Sequence, residues 1–191
     1  MVKGVGSKIK WKRKKWFNIY APSFLGETQV GQTPAIEGSQ VKGRKVKVNV
    51  SEIINDPRKQ DKIVTLKVNK VSGNNANTYV KSFSTNKSLL RRIVRKGGSR
   101  IDINHAYKTK DEKEINIKTL LFTSTKCPAT KKRDIRNLAD EYLTKIVNTQ
   151  TYDDFVLNTL NSKNQIQIKK QLRKLQPIRT TEIIGFTNLS E

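Results

Sequence analysis

The sequence predicts an α+β protein: an antiparallel β-sheet body with flanking helices and a basic N-terminal arm. Three observations lead there. Between residues 44 and 122 apolar residues recur at every second position in short runs, the period of a strand with one wet face. From about residue 129 to 176 the apolar period becomes helical. Before Trp16 the chain is nearly all Lys, Gly and small residues, with too little apolar surface to offset the entropy of ordering. The expected organisation is therefore an arm over 1–15 that is disordered when free, a β-rich body with one helix over 16–128, and a helical segment over 129–191 that returns to the body.

The arm carries Lys3, Lys8, Lys10, Lys12, Arg13, Lys14 and Lys15, with Gly4 and Gly6 for flexibility. Trp16, Phe17, Ile19, Tyr20 and Phe24 follow and are expected to bury. Trp16 to Tyr20 suits a short strand that Pro22 ends, since proline cannot donate to a ladder. Glycines and Pro34 punctuate 25–43, which reads as a connecting loop. Its glycine spacing matches no phosphate loop or dinucleotide fingerprint.

From Arg44, Val46, Val48 and Val50 alternate with Lys45, Lys47 and Asn49, and Val64, Leu66 and Val68 repeat the pattern. Asn55-Asp56-Pro57 supplies the turn between them. A third run, Thr78–Ser84, follows Gly73-Asn74-Asn75, with Tyr79 and Phe83 expected on one face. Leu89, Leu90, Ile93 and Val94 then fall on one side of a helix, with Arg91, Arg92, Arg95 and Lys96 on the other. Thr85 or Asn86 can cap it, and Gly97-Gly98 is expected to stop it. Arg100 continues the basic rim.

Two more strands place Ile101, Ile103 and Tyr107 on a face with His105, and Ile115, Ile117 and Leu121 on another, joined by a polar tip at 108–113. After Cys127-Pro128, Ile135, Leu138, Ala139, Tyr142, Ile146 and Val147 form a helical stripe. Thr151 with Asp154, and Ser162 with Gln165, read as capping boxes of two shorter helices. The last carries Ile168, Leu172 and Leu175, and Ile183, Ile184 and Phe186 add a final strand.

Composition narrows the function. The 191 residues suit one domain, and a hydrophobic content of 35% suffices for one core. With 39 basic against 16 acidic residues, a net charge of +23 repels itself unless a polyanion screens it. No apolar run approaches the ~18 residues of a spanning helix, and no basic helix shows a wide Trp/Leu face, so no membrane partner is expected. The basic N-terminus lacks the apolar run of a secretory signal. Cys127 is the only cysteine, which excludes an internal disulfide or multi-thiolate metal site and fits a reducing cytoplasm.

Catalysis has little to stand on. His105 is the only histidine and has no ligand-spaced Cys or carboxylate partners. Asp153 and Asp154 are adjacent at a helix start and serve its dipole and cap. No metal or other cofactor is expected. The sharper signal is Lys131-Lys132-Arg133 at the start of a helix, with Arg136 one turn on. Cations there oppose the helix dipole, whereas a bound phosphate would use both the side chains and the free N–H groups. With no recognition-helix, zipper or zinc-finger signature and no clustered strand aromatics, charge spread over tail, sheet, loops and helix ends favours a large folded RNA. The candidate RNA contacts are Lys8, Lys10, Trp11, Lys12, Arg13, Lys14, Lys15, Arg44, Lys45, Lys47, Arg91, Arg92, Arg95, Lys96, Arg100, Lys131, Lys132, Arg133 and Arg136. A free RNA- or DNA-binding protein is the first alternative, and a metal-dependent nuclease using Asp102 and His105 the second.

Lys15-Trp16-Phe17-Asn18-Ile19-Tyr20-Ala21-Pro22, followed by Gly26-Glu27-Thr28 and Gly31-Gln32-Thr33, resembles the archaeal and eukaryotic small-subunit ribosomal protein family called S-one-e, also S-three-A-e. Gly43-Arg44, Ile101-Asp102-Ile103 and the helix start over 131–137 are similar in order and spacing. The short arm and the lack of a long C-terminal tail resemble archaeal members. The resemblance implies a barrel-like body on the platform of the small subunit near the messenger exit, bound to rRNA and neighbouring ribosomal proteins, in reach of mRNA or initiation factors, ribosome-bound in the cytoplasm, and without catalysis.

Overall fold

The computed structural model describes residue 11 and residues 14–189. The arm residues 1–10, 12 and 13 lie outside them. Strands β1 (Lys15–Tyr20), β2 (Gln29–Ala35) and β3 (Lys45–Asn49) lead into helix α1 (Val50–Ile54). A long hairpin of β4 (Lys62–Ser72) and β5 (Asn75–Thr85) follows, then α2 (Lys87–Ile93) and the hairpin β6 (Arg100–Lys108) and β7 (Glu114–Thr123). Helices α3 (Ala129–Thr149), α4 (Tyr152–Leu160) and α5 (Lys163–Leu172) precede the last strand, β8 (Ile178–Asn188).

β5 organises the 8-stranded sheet. One of its edges carries β4 along its length, and β3 lies beyond β4. Its other edge forks. Residues 75–77 pair in parallel with Asn18, Ile19 and Tyr20 of β1, while residues 82–84 pair antiparallel with β8. β8 continues antiparallel into β7 and β6, and β2 flanks β1. The fork corrects the barrel-like expectation: among the described residues the outer strands β2, β3 and β6 each pair with one neighbour, so the sheet stays open. β6 is instead covered by α3, one way to protect an edge.

Most of the core lies between the sheet and the three C-terminal helices. α3 buries Ile135, Ala139, Leu143 and Val147 at helical spacing, leaving Leu138, Tyr142 and Ile146 half-buried beside them. Phe186 of β8 is the hub, its ring 5.4 Å from Phe83, 5.5 Å from Phe155 and 6.4 Å from Tyr152. A smaller cluster of Phe17, Ile19, Ala35, Val41, Val68 and Ala76 lies under the β1–β2 side of the fork.

Several sequence expectations need correcting, each for a local reason. The 25–43 segment, entered from the 3-10 turn Ser23–Leu25, holds strand β2 and a second 3-10 turn, Gly38–Gln40. Pro34 sits in β2 without cost because β2 is an outer strand. Trp16 points outward and stays 57% exposed, while Phe17 and Ile19 fill the small cluster. Val50 does not extend β3: Asn49 Oδ1 accepts from Ser51 N–H at 3.2 Å and starts α1. Tyr79 and Phe83 fall on opposite faces because the β4–β5 register shifts between Val80 and Ser82.

α2 ends at Val94, before Gly97-Gly98. Gly98 is required for close packing instead, since a Cβ there would lie 2.3 Å from the Thr123 carbonyl oxygen and 2.6 Å from the Phe122 ring. His105 is exposed at the outer strand, unlike Ile101, Ile103 and Tyr107. Ser162 makes no capping bond and turns with φ 61°, and Leu175 is exposed. The Thr151 cap forms as expected, accepting from Asp154 N–H at 3.3 Å.

Candidate nucleic-acid interface

The second hairpin and the C-terminal helices bring distant cations to one end of the molecule. At that end β6 begins, β7 ends, β8 begins and α3 starts. Backbone and hydroxyl bonds tie these chain segments together. Ser99 N–H donates to Thr123 Oγ1 at 2.9 Å, and Cys127 N–H donates to Ser99 Oγ at 3.0 Å. Ser124 N–H donates to the Pro177 carbonyl at 2.9 Å, and Gln176 Nε2 donates to Thr125 Oγ1 at 3.0 Å. Gly98, with no side chain, lets the 94–99 segment approach β7 closely enough for this lattice.

α3 starts here without a side-chain cap and without an acidic residue in its first turn. Its first intrahelical bond runs from Lys132 N–H to the Pro128 carbonyl at 3.1 Å. Lys131, Lys132 and Arg133 therefore lie inside the first two turns, and Arg136 follows one turn later. Arg95, Lys96 and Arg100 of the sequence-derived set share this basic pole. The structure adds Lys126, Arg173, Lys174 and Arg179, exposed on the connecting segments and at the start of β8. Among the described residues, only Arg100 of these cations is ion-paired, to Asp102 at 2.9 Å. No local sequence sign marks the added residues, which come to this side only through the way the β7, α5 and β8 ends meet.

The other candidate residues are dispersed. Lys8, Lys10, Lys12 and Arg13 lie outside the described residues. Trp11 is exposed, with Lys14 Nζ 4.4 Å from its ring centroid, and Lys15 is exposed at the start of β1. Lys45 and Lys47 project from outer strand β3, where lysines also discourage edge pairing. Arg91 is exposed on α2, and Arg92 Nη2 is 2.6 Å from Asp61 Oδ2. Arg44 is engaged within the fold: its Nε donates to the Gln40 carbonyl at 2.9 Å, and its Nη1 to the Pro34 carbonyl at 3.0 Å and to Thr33 Oγ1. It clamps β2 to the segment before β3.

Nothing in this geometry resembles a catalytic centre. Among the described residues no cluster of three His, Cys, Asp or Glu side chains could hold a metal ion. His105 Nδ1 lies 3.9 Å from Asp140 Oδ2, and Asp140 also accepts from the Tyr107 hydroxyl. Burial and that carboxylate push the Tyr107 phenol far above its ordinary range, so it stays a hydrogen-bond donor. Among the described residues no helix is long and apolar enough to cross a membrane.

A family model described as the Ribosomal S3Ae family matches residues 6–191. The chain belongs to that family. The protein is thus a structural ribosomal component and not an enzyme. Its curated relatives include proteins named small ribosomal subunit protein eS1 from archaea. The one from Archaeoglobus fulgidus is 31% identical over 186 residues, 96% of this chain and 88% of the relative. The one from Picrophilus torridus is 32% identical over 94% of this chain and 86% of its own length. The one from Nanoarchaeum equitans is 30% identical over 87% and 84%.

Proposed function

We propose that this S3Ae-family protein is a structural constituent of the small ribosomal subunit and holds rRNA through phosphate contacts at its basic pole. The observation that carries the phosphate reading is the uncapped start of α3. Lys131, Lys132 and Arg133 oppose its dipole there and gain nothing locally, and further exposed cations from three other segments surround them. The archaeal relatives named small ribosomal subunit protein eS1 support the small subunit as its setting. The family resemblance adds the platform near the messenger exit, ribosomal protein neighbours and a ribosome-bound cytoplasmic location. From that location mRNA and initiation factors come within reach. Arm 1–15 would reach into the rRNA, and the 129–191 segment would hold the body through the shared core.

A footprint of the protein on assembled small subunits tests the assignment. Protected rRNA phosphates facing the α3 start and the 95–100 segment are expected. Protection confined to other faces, or release of the protein in a high-salt wash that leaves subunits intact, would favour a free RNA-binding protein.

A further inference from the structure

At the opposite end of the strands from the basic pole, about 30 Å away along β7 at ~3.3 Å per residue, lies a groove of different chemistry. Its volume is about 1000 Å³, at the upper end of pockets that bury small ligands. Tyr20 from β1, Phe24 from the following turn and Tyr79 from β5 converge on it, each half-buried and so presenting part of its ring. These aromatics lie far apart in sequence and meet only because β1 pairs in parallel with the start of β5, where Thr78 Oγ1 donates to the Tyr20 carbonyl at 2.7 Å. Asn69, Asn75 and Asn77 line the same groove with exposed amides, able to donate and accept.

Cations complete the lining. Lys67 of β4 lies in register with Tyr79 on one side and with Lys45 of β3 on the other. Lys113, at the β6–β7 tip, lies across the groove with its Nζ 5.0 Å from the Tyr152 ring. Tyr152 is the floor and is fixed, its hydroxyl donating to the Val80 carbonyl at 2.6 Å. The lining also includes the carboxylates Glu27 and Asp153, which suit base amino groups and disfavour a purely anionic occupant. Aromatic faces, amides and a few cations in one concave site match an unstacked nucleotide rather than an A-form duplex, whose recognition needs an open surface.

We infer that this groove receives an unpaired nucleotide of a single-stranded RNA, with the base against Tyr79 and Tyr20 and the flanking phosphates toward Lys67 and Lys113. The inference rests on the RNA-binding reading above and gives that reading a second, base-dependent site. The full chain is tested by fluorescence anisotropy with three labelled probes: a short unstructured RNA, an abasic oligomer of equal length, and an RNA duplex. The wild type should prefer the RNA strand over the abasic oligomer. Tyr79→Ala should weaken the strand by about 5- to 150-fold, the worth of one stacked base, and leave abasic and duplex binding unchanged. Tyr79→Phe should retain the preference. If Tyr79→Ala does not fold, Tyr20→Ala is expected to give the same selective loss. A strand preference that survives both alanine variants overturns the groove assignment alone, as does equal displacement of the strand by an acidic peptide. A wild type that binds none of the probes overturns the RNA reading itself.

Discussion

The two ends of the β7–β8 ladder make opposite use of the same basic composition. At the pole, exposed cations gather around an uncapped helix start, and the nearby Phe122 ring is buried beneath Gly98. At the groove, tyrosines and asparagines dominate, and the lysines share the site with Glu27 and Asp153. Charge without a shaped surface suits phosphate, which positions an RNA without reading it. Rings and amides in a concavity suit a base. The difference teaches that a net charge of +23 is not one undivided property of the molecule but is sorted by the fold.

Both ends hang on one core, so the comparison breaks first through that core. Phe186→Ala removes the ring that touches Phe83, Phe155 and Tyr152. A loss of about 3–5 kcal/mol is expected, a large share of the ~5–15 kcal/mol that holds a domain folded. Denaturant melting checks it. A small loss with both ends working would show that the ends are held independently.

Gly98→Ala acts on one end only. The added methyl would collide with the Thr123 carbonyl and the Phe122 ring, at a cost of about 1–3 kcal/mol. Urea melting should show that cost, and duplex binding at the pole should weaken more than abasic discrimination at the groove.

Between the two ends a buried ionisable pair makes stability depend on pH. Lys62 is buried, its Nζ donating to Ser162 Oγ at 2.7 Å, and burial draws its pKa below the usual lysine range. Burial raises the Glu182 carboxyl above its ordinary range, with Lys62 pulling the other way. A folded pKa above the unfolded one means that the folded state binds more protons as pH climbs past the ordinary carboxylate value, so stability falls through that window. Glu182→Gln should therefore gain stability relative to wild type as pH rises from 4 toward 7. A constant difference across that range, read by thermal melting, would show that Glu182 is not penalised by burial.

How much of this was legible in the sequence follows from how local each signal is. Alternation announced β4, with Val64, Leu66 and Val68 all buried as read, and the α3 stripe was equally plain. β2 was missed because Gly31 and Pro34 disguise an outer strand that needs only one ladder. The face of Tyr79 was misread because a register shift of one residue reverses every side chain beyond it, and no local pattern marks the bulge. The α3 cations could be proposed from the sequence because dipole and charge conflict within one turn. Arg173, Lys174 and Arg179 could not, since only the return of β8 brings them to the pole. The groove was illegible for the same reason: Tyr20 and Tyr79 are joined by a parallel pairing that the sequence does not signal.

If the pole is a phosphate site, the salt dependence of RNA binding reports it. The combined variant Lys131→Ala, Lys132→Ala, Arg133→Ala is compared with wild type on small-subunit rRNA across a salt series, with melting of the free proteins alongside. The plot of log affinity against log salt should be flatter by about two to three units for the variant, and the free variant should be at least as stable as wild type because the dipole conflict is relieved. An unchanged slope, or a variant whose only defect is a lower melting temperature, would contradict the phosphate assignment.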